Sequence, residues 1–279
     1  MRIIVFILLI TSKFVLGQSF LETDYQLGLL NTSINAQHLI DGNGFLNDDF
    51  KNQLISDLDK ENSIFLYQEV GTKYTSSKGW TVGLESNIMG QLTYPKDLVK
   101  LILYGNGQLL GEEISLDPVS IEVVHYSKLF YGFKVNKNLD LRLGFITGHQ
   151  IAKLDVNKGI FETEELGASI NYDVSLEAQY SDTIDPKIFS VNGIGFSFGA
   201  DYTKEIENGS LDLSLSDMGL IRWDNNTSNL SVESQYSFNG VEITDFNNFN
   251  DSLLNNELDK IEEDFQANTI KNYYHYRLL

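Results

Sequence analysis

Residues 168–180 read ASINYDVSLEAQY, and an apolar or aromatic side chain alternates with a polar one at every position. Successive side chains of a β-strand point to opposite faces of its sheet, so this alternation predicts a strand with one apolar and one polar face. The predicted strand is far longer than the usual strand of about five or six residues. It also exceeds the roughly 9–11 residues that a tilted strand needs to cross a bilayer.

The same alternation recurs through most of the chain and predicts about eight or nine long strands in all. A slip of phase near Val123 and Val124 predicts a β-bulge. Short polar turns predict that successive strands pair as hairpins in an antiparallel up-and-down meander. The further predicted strands are residues 25–35, 65–74, 80–88, 119–135, 139–145, 194–202, 211–223 and 230–238, and the turns are 76–79, 136–138, 207–209 and 225–227.

Three short helices are predicted in the connections between strands. Residues 46–60 have apolar side chains at i, i+4 spacing, and residues 95–104 open on Pro95, which favours a first helical position. Residues 251–266 follow a plausible N-cap, Asp251. Their apolar side chains share one helix face: Leu254, Leu258, Ile261 and Phe265.

The first seventeen residues predict a secretory signal peptide. Arg2 precedes an unbroken apolar run at 3–10, and the small residue Gly17 predicts cleavage before Gln18. The apolar run is too short to favour the alternative, a transmembrane anchor. Residues 18–279 are then one β-barrel-type domain. The chain has no cysteine, which excludes a lipoprotein and is ordinary for an exported bacterial envelope protein.

The acidic charge excludes nucleic acid as a partner. Without the leader the chain has 18 Lys and Arg against 39 Asp and Glu, a balance of −21. Such a chain is repelled by phosphates and by anionic membrane surfaces. The charge is typical of solvated loops.

Residue patterns for catalysis or metal binding are missing from the sequence. The histidines, His38, His125, His149 and His275, have no metal-binding spacing, and no nucleophile motif occurs. The stretch DGNG at 41–44 begins like a calcium loop but has Phe45 and Leu46 where a ligand and Gly are required. We therefore expect no catalytic, cofactor or metal site and no enzymatic activity.

Alternating strands fit two architectures. In a soluble sandwich the apolar face points to the core, whereas in an outer-membrane barrel it points to lipid and the polar face lines the lumen. Strand length favours the barrel, as do aromatic residues near strand ends. Those aromatics are Trp80, Tyr94, Tyr126, Tyr131, Tyr172, Tyr180, Trp223, Tyr236 and Phe238. The alternative is a secreted or periplasmic β-sandwich with a binding or adhesive role.

Several motifs resemble a family of Bacteroidota outer-membrane, porin-like barrel proteins that is known only as a domain of unknown function. They are LVKL at 98–101 with YGNG at 104–107 and LG at 110–111, FSFGADY at 196–202, and LSLSDMGLIRW at 213–223. The resemblance spans residues 61–279. It implies a barrel in the outer membrane, with the lipid bilayer as partner and a channel, transport or structural role for an unknown cargo.

The C-terminal residues depart from the pattern of that family. Such barrels usually end in a strand that closes against the first strand, but this chain ends YYHYRLL just after a predicted helix. The sequence therefore predicts an incomplete barrel, either an N-terminal fragment that lacks further strands or a chain that needs an envelope protein partner. An unclosed barrel leaves unpaired backbone groups, which lipid does not tolerate.

Overall fold

A computed structural model describes residues 4–16, 19–34, 47–181, 190–207, 209–224, 227–239, 269–272 and 276–278. These residues form one antiparallel sheet of thirteen strands and two α-helices. The strands are β1 Ile4–Leu16, β2 Ser19–Asn31, β3 Glu61–Thr75, β4 Trp80–Pro95, β5 Glu113–Ser115, β6 Val119–Lys134, β7 Leu139–Thr163, β8 Ile170–Ser181, β9 Gly193–Ile206, β10 Gly209–Trp223, β11 Thr227–Phe238, β12 Thr269–Asn272 and β13 Tyr276–Leu278. The helices are α1 Asp48–Asp57 and α2 Lys96–Tyr104.

Several strands lie end to end and act as one interrupted strand. β7 pairs along one edge with β9 through residues 139–148 and with β8 through residues 152–163. β8 and β9 run in the same direction, so together they form one interrupted strand beside β7. β10 and β11 form the next interrupted strand, because β10 pairs with β9 and β11 pairs with β8. β12 and β13 form the last one, because β12 pairs with β11 and β13 pairs with β10. The sheet is therefore an up-and-down meander in chain order, as the sequence predicts.

The sheet is open. β1 lies at one edge and pairs with β2, and the interrupted strand β12–β13 lies at the other edge. In the described part of the chain these two edges do not pair with each other. The predicted all-β, incomplete barrel-like architecture is confirmed. β1 falls in the segment that the sequence predicts to be a cleaved leader, and that cleavage stays a prediction.

The two ends of the sheet differ in the length of their connections. At the turn end, short turns join β3 to β4, β6 to β7 and β9 to β10. At the loop end, residues 32–60 with α1 join β2 to β3, residues 96–118 with α2 join β4 to β6, and residues 239–268 separate β11 from β12. No helix in the described ranges is long and apolar enough to cross a membrane.

Burial is inverted relative to a soluble sandwich, most strongly in the half of the sheet nearest the turn end. Leu84, Leu129, Phe145 and Phe196 lie in one row across β4, β6, β7 and β9, and each is 54–61% exposed. On the opposite face, polar residues such as Asn87 and Lys128 are buried. The exposed residues of this apolar belt are Val82, Leu84, Leu129, Tyr131, Leu143, Phe145, Ile194, Phe196, Phe198, Leu211, Leu213, Leu215 and Met218.

Two of the predicted helices are present. The Asn47 side chain accepts a hydrogen bond from the Phe50 backbone N–H at 2.8 Å and caps α1. α2 begins at Lys96, so Pro95 occupies the N-cap and not the first helical position. The third prediction, residues 251–266, lies outside the described residues.

The structure corrects three predictions about the strands. The register runs unbroken through Val123 and Val124, and the bulge lies instead at His149, opposite His125 and Tyr126. The turn predicted at 225–227 does not form a hairpin, because β10 and β11 lie end to end and pair with other strands. β7 continues to Thr163, far beyond the predicted residues 139–145.

Candidate functional site

The candidate site lies on the face of the sheet opposite the apolar belt, called here the polar face. The registers of β2 to β10 place alternate residues of neighbouring strands side by side on this face. Its side chains form three layers from the turn end to the loop end: ion pairs, an apolar cluster, and a hydrogen-bonded polar groove.

The first layer contains three ion-pair groups. Lys128 Nζ lies 2.5 Å from Glu85 Oε2, and both side chains are almost fully buried. Arg142 Nη2 lies 3.0 Å from Asp201 Oδ2, and the Ser214 hydroxyl donates to Asp201 Oδ1 at 2.6 Å. Lys73 Nζ lies 3.3 Å from Glu22 and 3.9 Å from Asp24. Each cation is thus balanced by a carboxylate on a neighbouring strand.

Glycines make room for the large side chains of this layer. A Cβ atom built on Gly83 would lie 2.4 Å from the Phe130 ring, and one on Gly144 would lie 2.4 Å from Ser197 Oγ and 3.0 Å from Lys128 Cγ. The Lys128 side chain therefore lies over the Gly144 backbone. Glycine at these positions serves close approach between strands.

The second layer is the apolar cluster, formed by Val124, Tyr126, Ile146, Ile151, Ile221 and Trp223. These side chains are at most 2% exposed. Trp223 packs where Gly148 and Gly193 lack side chains, because a Cβ on either glycine would lie 2.8–3.0 Å from the indole ring. The cluster lies at the level where β8–β9 and β10–β11 are interrupted, and it separates the ion pairs from the polar groove.

The third layer is the polar groove on β7, β8 and β11. The Gln235 amide donates to Asp173 Oδ2 at 2.8 Å, and Lys158 forms an ion pair with the same carboxylate. The Ser237 hydroxyl donates to Asn171 Oδ1 at 2.7 Å. An open cavity of about 400 Å³ lies here. Its hydrogen-bonding groups could contact a polar solute, and they include the polar residues of the alternating stretch 168–180.

Two of the four histidines meet at the β7 bulge, on the apolar side of the sheet. The rings of His125 and His149 are 4.7 Å apart. His149 Nδ1 donates to the Ser190 carbonyl at 2.7 Å, so neutral His149 accepts at Nε2 from the Ser127 hydroxyl at 2.8 Å. Within the described residues no group of three or more potential ligands could hold a metal ion. His38 and His275 lie outside the described residues, as does the stretch at 41–44.

The aromatic residues divide between the two faces. On the apolar side, Trp80 contacts Tyr74 and Tyr131 near the turn end, with ring centroids 5.4 and 6.5 Å apart, and Tyr172 stacks on Tyr236 near the loop end. Three of the aromatic residues that the sequence places near strand ends, Tyr94, Tyr126 and Trp223, are at most 5% exposed and so do not belong to an aromatic girdle facing lipid. The irregularity between Leu215 and Met218 shifts the phase of β10 and turns Trp223 to the polar face.

The sequence of residues 12–278 matches the model of a family of unknown function (DUF5723). The chain belongs to this family. No curated protein and no solved structure matches the chain. The family match covers nearly all of the sheet and extends well before residue 61, where the sequence resemblance begins.

Sequence reasoning missed the apolar cluster as a unit. Its members come from three strands, β6, β7 and β10, and Ile146 and Ile151 lie beyond the predicted end of their strand. The signal in the sequence was the three glycines that precede or oppose them, Gly144, Gly148 and Gly193, since isolated glycines in strands often mark close packing.

Proposed function

We propose that this chain is a β-barrel-type protein embedded in a bacterial outer membrane, with a structural or transport role and no catalytic step. The inverted burial of the sheet carries this proposal. A face that exposes a continuous row of Leu, Phe and Ile side chains is costly in water, because soluble monomers rarely expose large apolar patches. Lipid accepts such a face, and the polar face then lines the interior.

Two further features support the membrane location. Outer-membrane barrels have short turns at one end and long connections at the other, and this sheet has the same asymmetry. Aromatic pairs lie on the apolar side near both ends, Trp80 with Tyr131 and Tyr172 with Tyr236. Aromatic girdles of this kind occur at the two membrane interfaces. The resemblance to Bacteroidota porin-like barrels favours the same compartment.

The length of β7 indicates how the sheet would sit in the bilayer. Its 25 residues extend for about 80 Å, and at a tilt of about 45° they exceed the roughly 30 Å hydrocarbon core. The apolar belt lies near the turn end, and exposed apolar side chains continue from it toward the loop end at Leu66, Val70, Ile121 and Val123. β7 is therefore longer than a membrane crossing requires, and we infer that its surplus lies outside the bilayer.

The apolar cluster favours a structural role over an open channel. Porins keep a polar, water-filled interior, whereas here six buried side chains, Trp223 among them, occupy the polar face at mid-height. An apolar cluster on the wall that would face the interior suits a structural role better than free ion conduction.

The alternative, a soluble secreted β protein with a binding or adhesive role, requires the apolar belt to be covered by another surface. The experiment is expression of the full chain in a Gram-negative host, followed by fractionation and gel electrophoresis with and without boiling. We expect the protein in the outer-membrane fraction and faster migration without boiling. Recovery as a soluble protein without detergent would favour the alternative.

A further inference from the structure

The polar groove brings hydrogen-bonding side chains of three neighbouring strands, β7, β8 and β11, to one cavity. Directly opposed side chains of paired strands lie roughly 4.5–5.5 Å apart, so these groups form a compact array. The cavity of about 400 Å³ is within the size range of small-molecule sites. The array has two cross-strand rows, Glu162, Asn171 and Ser237 in one and Ile160, Asp173 and Gln235 in the other.

Bonds between neighbours hold these side chains in place and leave part of their hydrogen-bonding capacity unused. The Ser237 hydroxyl donates to Asn171 Oδ1 at 2.7 Å, so the two amide N–H groups of Asn171 remain as donors. The Gln235 amide and Lys158 both bond to Asp173 Oδ2, so Asp173 Oδ1 and Gln235 Oε1 remain as acceptors. Because the side chains are already ordered, the entropy cost of fixing them around a ligand is small.

The charge of the groove excludes anionic ligands. The Glu162 carboxylate has no hydrogen bond or ion pair with any residue that the structure describes. Glu113 of β5 lies opposite Glu162, whereas the ammonium of Lys158 is paired with Asp173. Three carboxylates thus lie near one cation, and the remaining negative charge repels phosphates and other anions.

We propose that the polar groove binds a neutral carbohydrate. A sugar hydroxyl both donates and accepts hydrogen bonds, and the groove offers acceptors on Glu162, Asp173 and Gln235 beside the amide donors of Asn171. Hydrogen bonds to an ionised carboxylate are roughly twice as strong as those between neutral groups. The two carboxylates therefore favour a ligand with many hydroxyl donors, and Ile160 provides apolar surface for the C–H groups of a sugar ring.

A metal ion fits this arrangement less well than a carbohydrate. Ca²⁺ takes about 6–8 oxygen ligands around one point, and in the described ranges no group of three or more acidic, histidine or cysteine side chains could hold a metal ion. The acceptors of the groove are instead spread over three strands, as an extended ligand requires. The proposal does not rest on the membrane location, so its failure would leave the outer-membrane test unaffected.

The test is carbohydrate binding by the full chain, purified in a detergent without a sugar headgroup. Native gels each contain one neutral polysaccharide (dextran, mannan or xylan) or the anionic polygalacturonate, and retardation is measured against polysaccharide concentration. We expect a neutral polysaccharide to retard the parent chain, and Glu162→Ala to weaken that binding about tenfold or more, because hydrogen bonds to a charged group are lost. Glu205→Ala is the matched control, since Glu205 is exposed on β9 near the turn end, and it should bind like the parent.

A second variant tests the donor side of the groove. Asn171→Asp keeps the size of the side chain but removes both amide N–H groups, and it should weaken binding as well. Circular dichroism checks that each variant is folded, which we expect because Glu162 and Asn171 are only half-buried.

Four results would overturn the proposal. No retardation by any neutral polysaccharide would exclude the ligand class. Equal retardation of the parent chain and Glu162→Ala would place carbohydrate binding outside the groove. Retardation by polygalacturonate as strong as by the neutral polymers would contradict the charge argument. Calorimetric binding of CaCl₂ to the parent chain, lost in Glu162→Ala, would assign the groove to a cation.

Discussion

At the scale of single residues, the buried Lys128–Glu85 ion pair can be tested by removing one partner or both. Removal of one partner leaves an uncompensated buried charge, whereas removal of both does not. We expect Lys128→Met alone to lower the free energy of unfolding by about 3–5 kcal/mol. Adding Glu85→Gln to that variant should recover most of the lost free energy of unfolding. Urea unfolding of both variants, followed by tryptophan fluorescence in one detergent, provides the comparison, and equal stability of the two would contradict the pairing.

Gly83 provides a second test at the residue scale. A Cβ there would lie 2.4 Å from the Phe130 ring, so Gly83→Ala forces the ring or the strand to shift. Overpacking of this kind costs about 1–3 kcal/mol. The matched control is Gly209→Ala, because nothing lies within 4 Å of a Cβ at that position. We expect Gly83→Ala to unfold at a lower temperature than Gly209→Ala. An equal loss of stability in both variants would mean that the close approach to Phe130 does not determine the cost of the substitution.

At the scale of elements, alternation predicts strands well wherever the phase is unbroken. β8, β9 and β11 were predicted to within a few residues because each keeps one face throughout. The alternation predicts too short a β7, because the irregularities at His149 and Asn157 reverse the phase and the later residues no longer match the pattern of the first ten. The polar residues near Asn225 predict a turn, but they do not show whether β11 folds back beside β10 or continues in line with it.

The apolar belt carries a prediction that separates lipid from water at the element scale. Leu129 lies at the centre of the belt and is 54% exposed, whereas Leu166 lies in the β7–β8 turn and is 95% exposed. In lipid, Leu129→Lys lowers the stability of the protein by about 2–4 kcal/mol, whereas Leu166→Lys in a solvated turn lowers it little. We expect the first variant alone to reduce the amount of heat-modifiable protein in membranes. If both variants accumulate like the parent chain, the belt does not face hydrocarbon.

At the scale of the whole molecule, the predicted leader determines which strand lies at the edge of the sheet. β1 pairs with β2 over thirteen positions, from Ile4 with Asn31 to Leu16 with Ser19. Cleavage after Gly17 removes that partner and leaves the β2 edge to another strand. We expect the intact mass of the exported protein to correspond to a start at Gln18. Gly17→Tyr, which places a large residue at the cleavage site, should retain the leader. An unprocessed parent protein would refute the leader and keep β1 in the sheet.

At the same scale, the apolar cluster on the polar face predicts how well the whole molecule conducts ions. Trp223 fills the space over Gly148 and Gly193 in the apolar cluster, so its truncation removes the largest buried side chain from the polar face. Trp223→Ala also costs about 3–5 kcal/mol of stability, and only protein that remains heat-modifiable is therefore reconstituted. We expect the parent chain to show little ion current in planar bilayers and the variant to show discrete openings. Leu166→Ala, in the exposed turn, is the control. A large steady current from the parent chain would mean that the cluster does not obstruct the interior, and the protein would then act as an open channel.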